Sequence, residues 1–137
     1  MGFSPEVIAR RQEQQERDER RSRWICTPGW HIVEIVGYHR SAVGRGGTAV
    51  FDLRDDQGRE QTVRFSLSIP VLRGGELLRF WAAAMNRRLV ELQGCELSIA
   101  SARSLRALVG RRLAVFVAQN SKGLHDVIGW KAIEPPA

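Results

Sequence analysis

The segment "ELLRFWAAAMNRRLVEL" at residues 76–92 determines how the rest of this chain is interpreted. Apolar residues recur there at the spacing of an amphipathic helix, at Leu78, Trp81, Ala82, Met85, Leu89 and Leu92. The charged residues mostly fall off this stripe. The pattern predicts one helix that ends before Gly94 and places Trp81 in the core.

Three strands are predicted before this helix. Residues 30–38 are rich in β-branched and aromatic residues, which favours a first strand. In "TAVFDLRD" at 48–55 and "QTVRFSL" at 61–67 the side chains alternate between an inner and an outer face, which indicates two half-buried strands. Val50, Arg54 and Arg64 are expected on the outer face. Since these two strands pair, we expect the two arginines to lie near one another.

The chain after the helix predicts a closing hairpin. A short second helix is expected near residues 101–108, followed by strands at 111–118 and about 124–133 around the turn "NSKG". Three strands, a helix and two strands are the order of the OB-fold, a five-stranded Greek-key barrel with one helix between strands 3 and 4. We therefore expect a mainly β, OB-fold-like domain over residues 28–137.

In an OB-fold the loops between strands 1 and 2 and between strands 4 and 5 flank the ligand groove. The first of these loops carries Arg40 and Arg45, and the second carries Lys122 and His125. The sequence thus predicts a basic cleft at one side of the barrel.

Residues 1–27 differ in composition from the rest and are predicted to form a charged N-terminal arm. After Val7, Ile8 and Ala9 no apolar face continues, so packing cannot hold a helix there, and we expect the arm to be helical or disordered. The sequence shows neither a secretory signal nor an apolar run of about 20 residues that could span a membrane. The expected compartment is the cytoplasm.

The charge balance favours nucleic acid as the partner. The formal net charge is +6, and only Lys122 and Lys131 among the 21 basic residues are lysines. Guanidinium groups bind phosphates bidentately and stack on bases. A GC-rich genome would also raise arginine over lysine, but it would not produce the net charge.

Catalytic and metal-binding signatures are missing from the sequence. Cys26 and Cys95 lie far apart without a CxxC spacing, and the three histidines are scattered. We expect no metal, no cofactor and no enzymatic activity.

Three segments, in order, resemble a family of phage and prophage OB-fold single-stranded DNA-binding proteins, formerly a domain of unknown function. They are "GWHIVEIVGYHRSAVGRGG" at 29–47, "LLRFWAAAM" at 77–85 and "LVGRRLAVFVAQNSKGLHDVIGWKAIEPPA" at 108–137. One departure is "SLSIPVLRGG" at 66–75, which is shorter than the loop that family often has after strand three. The resemblance implies sequence-tolerant binding of single-stranded DNA in replication or recombination, without a cofactor.

Single-strand binders combine a positive groove with aromatic faces on which bases stack. The candidate phosphate-binding residues are Arg40, Arg45, Arg54, Arg64 and Lys122. The candidate stacking residues are Trp30, Tyr38 and Trp130. The alternative for the arginines is a solvated face paired with Asp52 or Glu60, and for the aromatic residues it is burial in the core.

The function expected from the sequence is therefore that of a single-stranded DNA-binding protein of a phage or mobile element. Two alternatives stay open. One is RNA binding, since stacking platforms accept both polymers. The other is a protein-interaction module, a phage-encoded inhibitor or adaptor that grips a host protein through the barrel surface or the arm. The oligomeric state is open too, because an edge strand could pair with a second copy.

Overall fold

The computed structural model describes residues 5, 7–12 and 24–134. Its strands are β1 Gly29–Ser41, β2 Thr48–Asp55, β3 Glu60–Ser66, β4 Arg112–Gln119 and β5 His125–Lys131. Between β3 and β4 lie the helices α1 Ile69–Leu72, α2 Glu76–Met85, α3 Glu96–Ile99 and α4 Ala102–Arg106, with a 3-10 turn at Leu89–Leu92. The expected mainly β architecture with a helical insertion between the third and fourth strands is confirmed.

The strands form one antiparallel sheet in the order β3-β2-β1-β4-β5. The long strand β1 pairs with β4 through its first half and with β2 through its second half. The register shifts between Ile35 and Gly37, where a bulge lets the strand bend. The sheet therefore curls into a half-barrel.

Curling brings the two edge strands of the sheet together. The side-chain amide of Gln61 in β3 donates a hydrogen bond to the carbonyl oxygen of His125 in β5, at 2.9 Å. The rings of Phe65 and Trp130, from the same two strands, meet edge to face at 5.4 Å. Side chains thus bridge the gap between β3 and β5.

The concave side of the sheet holds the core. The alternation predicted for β2 and β3 is confirmed, since Ala49, Phe51, Leu53, Val63, Phe65 and Leu67 are all buried. Val50, expected to point outward, is nonetheless only 4% exposed. Helix α2 contributes Phe80, whose ring lies 5.2 Å from Phe51 and 5.0 Å from Phe65. These rings pack the helix against the sheet.

The predicted long helix is divided in the structure. Helix α2 ends at Met85 because Asn86 adopts the left-handed conformation, with φ at 54°, and closes the helix as a C-cap. Leu89, placed on the apolar stripe by the spacing, is consequently 41% exposed. Trp81 is half-buried against the core and donates its indole N–H to the carbonyl of Ser104 at 3.1 Å. This bond ties α2 to α4, the short helix expected near residues 101–108.

The packed part of the chain begins before the predicted boundary at residue 28. Trp24 forms a parallel bridge with Glu60, and the backbone N–H of Ile25 donates to the Glu60 carbonyl at 3.1 Å. Ile25 is fully buried in the core. Of the predicted arm, residues 5 and 7–12 are helical and exposed, and residues 1–4, 6 and 13–23 lie outside the described residues. Over the described ranges, no helix has the length and apolarity needed to cross a membrane.

Candidate nucleic-acid interface

An exposed aromatic residue, Trp30, stands on the outer face of the sheet where β1, β4 and β5 run side by side. The register pairs Trp30 with Phe116 and Phe116 with Gly129, and directly paired side chains share a face. The two rings meet edge to face, with centroids 5.3 Å apart. A Cβ at Gly129 would lie 3.9 Å from the Trp30 ring, an ordinary contact distance, so the indole reaches over β5 at this position.

A cation lies over the Trp30 ring. The Lys131 ammonium is 4.1 Å from the centroid of Trp30, a cation–π distance. Ile32, two residues along the same face of β1, is 48% exposed, and Trp30 itself is 47% exposed. We call Trp30, Ile32, Phe116 and Lys131 the Trp30 patch, which combines an accessible aromatic face with a positive charge.

The other two candidate stacking residues, Tyr38 and Trp130, pack against the core. Tyr38 is half-buried, and its ring lies 5.2 Å from Phe51. Trp130 pairs with the fully buried Val115 and therefore points inward, where its ring also meets Phe80 edge to face at 5.7 Å. Of the three predicted stacking residues, only Trp30 offers an exposed ring.

Arg54 and Arg64 both point outward, but they are not neighbours. Arg54 faces Glu60 across the β2–β3 ladder, whereas Arg64 faces Val50. Four residues of β2 separate these two positions, which corresponds to about 13 Å. The expectation that the two arginines lie together is wrong, because the register offsets them along the strands.

The two arginines also differ in their partners. Arg54 forms an ion pair with Glu60 at 2.9 Å, one of the two pairings considered from the sequence, and both side chains are half exposed. Arg64 is exposed and makes no ion pair within the described part of the chain. A phosphate would meet a free guanidinium at Arg64 and a partly neutralised one at Arg54.

The loop between β1 and β2 is internally braced. The Arg40 guanidinium donates to the carbonyl of Gly46 at 2.6 Å, and the Thr48 hydroxyl donates to the carbonyl of Val43 at 2.9 Å. Gly46 has φ at +75°, and a Cβ there would lie 2.7 Å from a backbone oxygen of Leu67. Arg40 therefore holds the loop, while Arg45 is exposed on it.

Side-chain hydrogen bonds, most of them from Asn120, brace the loop between β4 and β5. The side-chain oxygen of Asn120 accepts from the backbone N–H groups of Lys122 and Leu124, at 2.9 and 3.0 Å. Its amide nitrogen donates to Asp126 at 2.8 Å. The turn is thus fixed, and Lys122 is exposed on it. His125 contributes its carbonyl to the hydrogen bond with Gln61 described above.

A small surface pocket lies next to the Trp30 patch, further along β1. Its volume is about 200 Å³, and its walls include Glu34, Arg54, Asp56 and Arg112 over Ile32. Asp55 also borders it, but its carboxylate already accepts from Arg59 and from the backbone of Gln57. We call this the Glu34 pocket.

Several residues of this surface were missed by sequence reasoning. Phe116 alternates with the inward residues Val115 and Val117, so its outward direction could have been read from the strand pattern. The place of Lys131 over Trp30 and the Glu34 pocket both depend on cross-strand register, which the sequence does not encode locally. Trp24, a second exposed tryptophan, was assigned to the arm; it pairs with Glu60 beside β3 and is not part of the Trp30 patch.

Comparison with known proteins does not assign this chain to a family. A scan of protein-family models gives no match to this chain, and a search of curated proteins also returns no match.

Proposed function

We propose that this chain is a single-stranded DNA-binding protein of a phage or mobile element, related to the family it resembles, that supports replication or recombination in the cytoplasm without a cofactor. The observation that carries the proposal is the Trp30 patch. An indole with an exposed face, a lysine beside it and a net charge of +6 are the components that sequence-tolerant single-strand binders use.

The proposal includes an OB-fold Greek-key barrel. Its support is the division of β1 between β2 and β4 and the approach of β3 to β5 through Gln61 and Phe65. In such a barrel the loops after β1 and β4 flank the ligand. Both loops here are braced and carry exposed cations, Arg45 and Lys122.

A path for a single strand follows from the register. One row crosses the sheet through Arg112, Glu34, Arg54 and Glu60. Trp30 lies four residues from this row along β1, about 13 Å, and Arg64 lies four residues from it along β3 in the curled sheet. A strand running from Trp30 to Arg64 would stack a base at one end, pass the Glu34 pocket and meet a free guanidinium at the other end.

The test is fluorescence anisotropy of a labelled oligo-dT titrated with the purified protein at two salt concentrations. We expect affinity to fall steeply with salt, because each bound phosphate releases counterions, with a slope of about −0.7 per phosphate for single strands. Unlabelled duplex should compete poorly. Absence of binding at low salt would refute the proposal, and stronger competition by RNA than by DNA would reassign the ligand to RNA.

A protein-interaction module is the second candidate, and exposed apolar side chains favour it. Val90, Leu97, Leu124 and Ile128 are between 51% and 67% exposed. A protein partner would bury such side chains, as the apolar core of an interface does. If this candidate is correct, oligo-dT should bind weakly and duplex should compete as well as single strands, so the same titration separates the two functions.

A further inference from the structure

Glu34 lies between two arginines on the neighbouring strands and forms an ion pair with neither of them. Arg54 and Arg112 are its direct cross-strand neighbours in β2 and β4. Opposite charges facing each other across strands normally interact. Arg54 instead pairs with Glu60, and within residues 24–134 neither Glu34 nor Arg112 forms an ion pair. A carboxylate and a guanidinium are thus both left uncommitted on the wall of one pocket.

The Glu34 pocket is an open surface depression with room for a flat ring. It has a volume of about 200 Å³ and Ile32 on its wall. A cavity of about 150 Å³ accommodates benzene. A planar ring resting against Ile32 would present its edge to Glu34 and Arg112, one offering acceptors and the other donors.

We infer that the Glu34 pocket binds a guanine base of the single strand, with the Glu34 carboxylate accepting from the guanine N1–H and N2–H₂ groups and Arg112 donating to O6 and N7. This inference rests on the proposed function. Guanine is favoured because it presents two adjacent donors, which match the two oxygens of one carboxylate, beside two acceptors for a guanidinium.

The charges of the pocket argue against a phosphate in the same place. Glu34 and Asp56 both line the wall, and their carboxylates would repel a phosphodiester. Thymine also fits poorly, because its single ring N–H lies between two carbonyl oxygens, one of which would face the carboxylate. The site therefore adds a preference at one nucleotide to binding that is otherwise tolerant of sequence.

The experiment compares two unlabelled competitors, oligo-dT and the same oligo-dT with one central dG, against labelled oligo-dT on the full-length protein. We expect the dG oligonucleotide to compete about 5- to 150-fold better, the range for a bidentate contact to a base. Replacing the central dG with dA or dC should give a smaller gain. Equal competition by the dG and dT oligonucleotides would overturn the inference while leaving the proposed function standing.

The variant Glu34→Gln tests the assigned residue. It keeps the side-chain size but replaces one acceptor oxygen with a donor amide, so the dG preference should disappear while oligo-dT binds at least as well as before. Glu91→Gln is the matched control, since it makes the same charge change on the exposed 3-10 turn between α2 and α3 and should keep the preference. A dG preference that persists in Glu34→Gln overturns the inference. No binding of any oligonucleotide at low salt overturns the proposed function as well.

Discussion

Replacing Trp30 with alanine removes the one predicted stacking residue that has an exposed ring. A base stacked on an aromatic side chain contributes about 1–3 kcal/mol, so the variant should bind oligo-dT about 5- to 150-fold more weakly. Since Trp30 is 47% exposed, its truncation should destabilise the fold by about 2 kcal/mol, roughly half the cost of a buried tryptophan. A domain stable by about 5–15 kcal/mol tolerates that loss and stays folded.

The assay is anisotropy with labelled oligo-dT, accompanied by thermal melting of each variant. Trp24→Ala is the matched control, because Trp24 is 45% exposed, pairs with Glu60 at the start of β3 and is not one of the four residues of the Trp30 patch. Trp30→Phe keeps an aromatic face and should recover part of the affinity. An affinity for Trp30→Ala within a factor of about two of the wild type, or an equal loss in Trp24→Ala, would refute the reasoning.

Three further predictions concern the rest of the surface and the fold. Arg64→Ala should reduce the salt slope of binding by about 0.7, and Arg54→Ala by less because that charge is already paired; equal reductions would contradict the register argument. Gly46→Ala should lower the unfolding free energy in urea by about 1–3 kcal/mol, since the methyl group meets backbone at a left-handed position; unchanged stability would contradict this. Deleting residues 1–23 should preserve the melting transition, whereas deleting residues 1–27 should cost about 2–5 kcal/mol because a buried isoleucine is removed; equal melting temperatures would show that this residue does not anchor the domain.

The elements that the sequence predicted well are those with a strong local period. The alternation in β2 and β3 correctly gave the buried side of Phe51 and Phe65, because a strand with one dry face must repeat every two residues. Helix α2 was likewise predicted from a local period, the helical spacing of Leu78, Trp81 and Met85. The end of this helix was not predicted. Leu89 keeps the helical spacing in the sequence, but the chain leaves the helix at the left-handed residue Asn86, so Leu89 lies on the surface.

The candidate site was less predictable because it depends on pairing between distant strands. From the sequence, Trp30, Tyr38 and Trp130 were equivalent candidates, and only the pairing of Trp130 with Val115 shows that Trp130 points inward. The position of Lys131 over Trp30 likewise joins residues about a hundred positions apart. A single sequence indicates which face of the sheet each residue occupies, but not which residue lies beside it on the neighbouring strand.

Lys131 gives the Trp30 patch a property that an isolated tryptophan would lack. In the free protein its ammonium lies 4.1 Å from the ring centroid and covers part of the face that a base would use. If the chain binds a single strand as proposed, the nucleotide brings both a base and a phosphate, so the base would stack on the ring while the ammonium moves to the phosphate. This exchange would replace the cation–π interaction with a charge pair and give the ring a stacked base as its partner. It would also make stacking dependent on salt, which links the aromatic and electrostatic parts of the proposed binding.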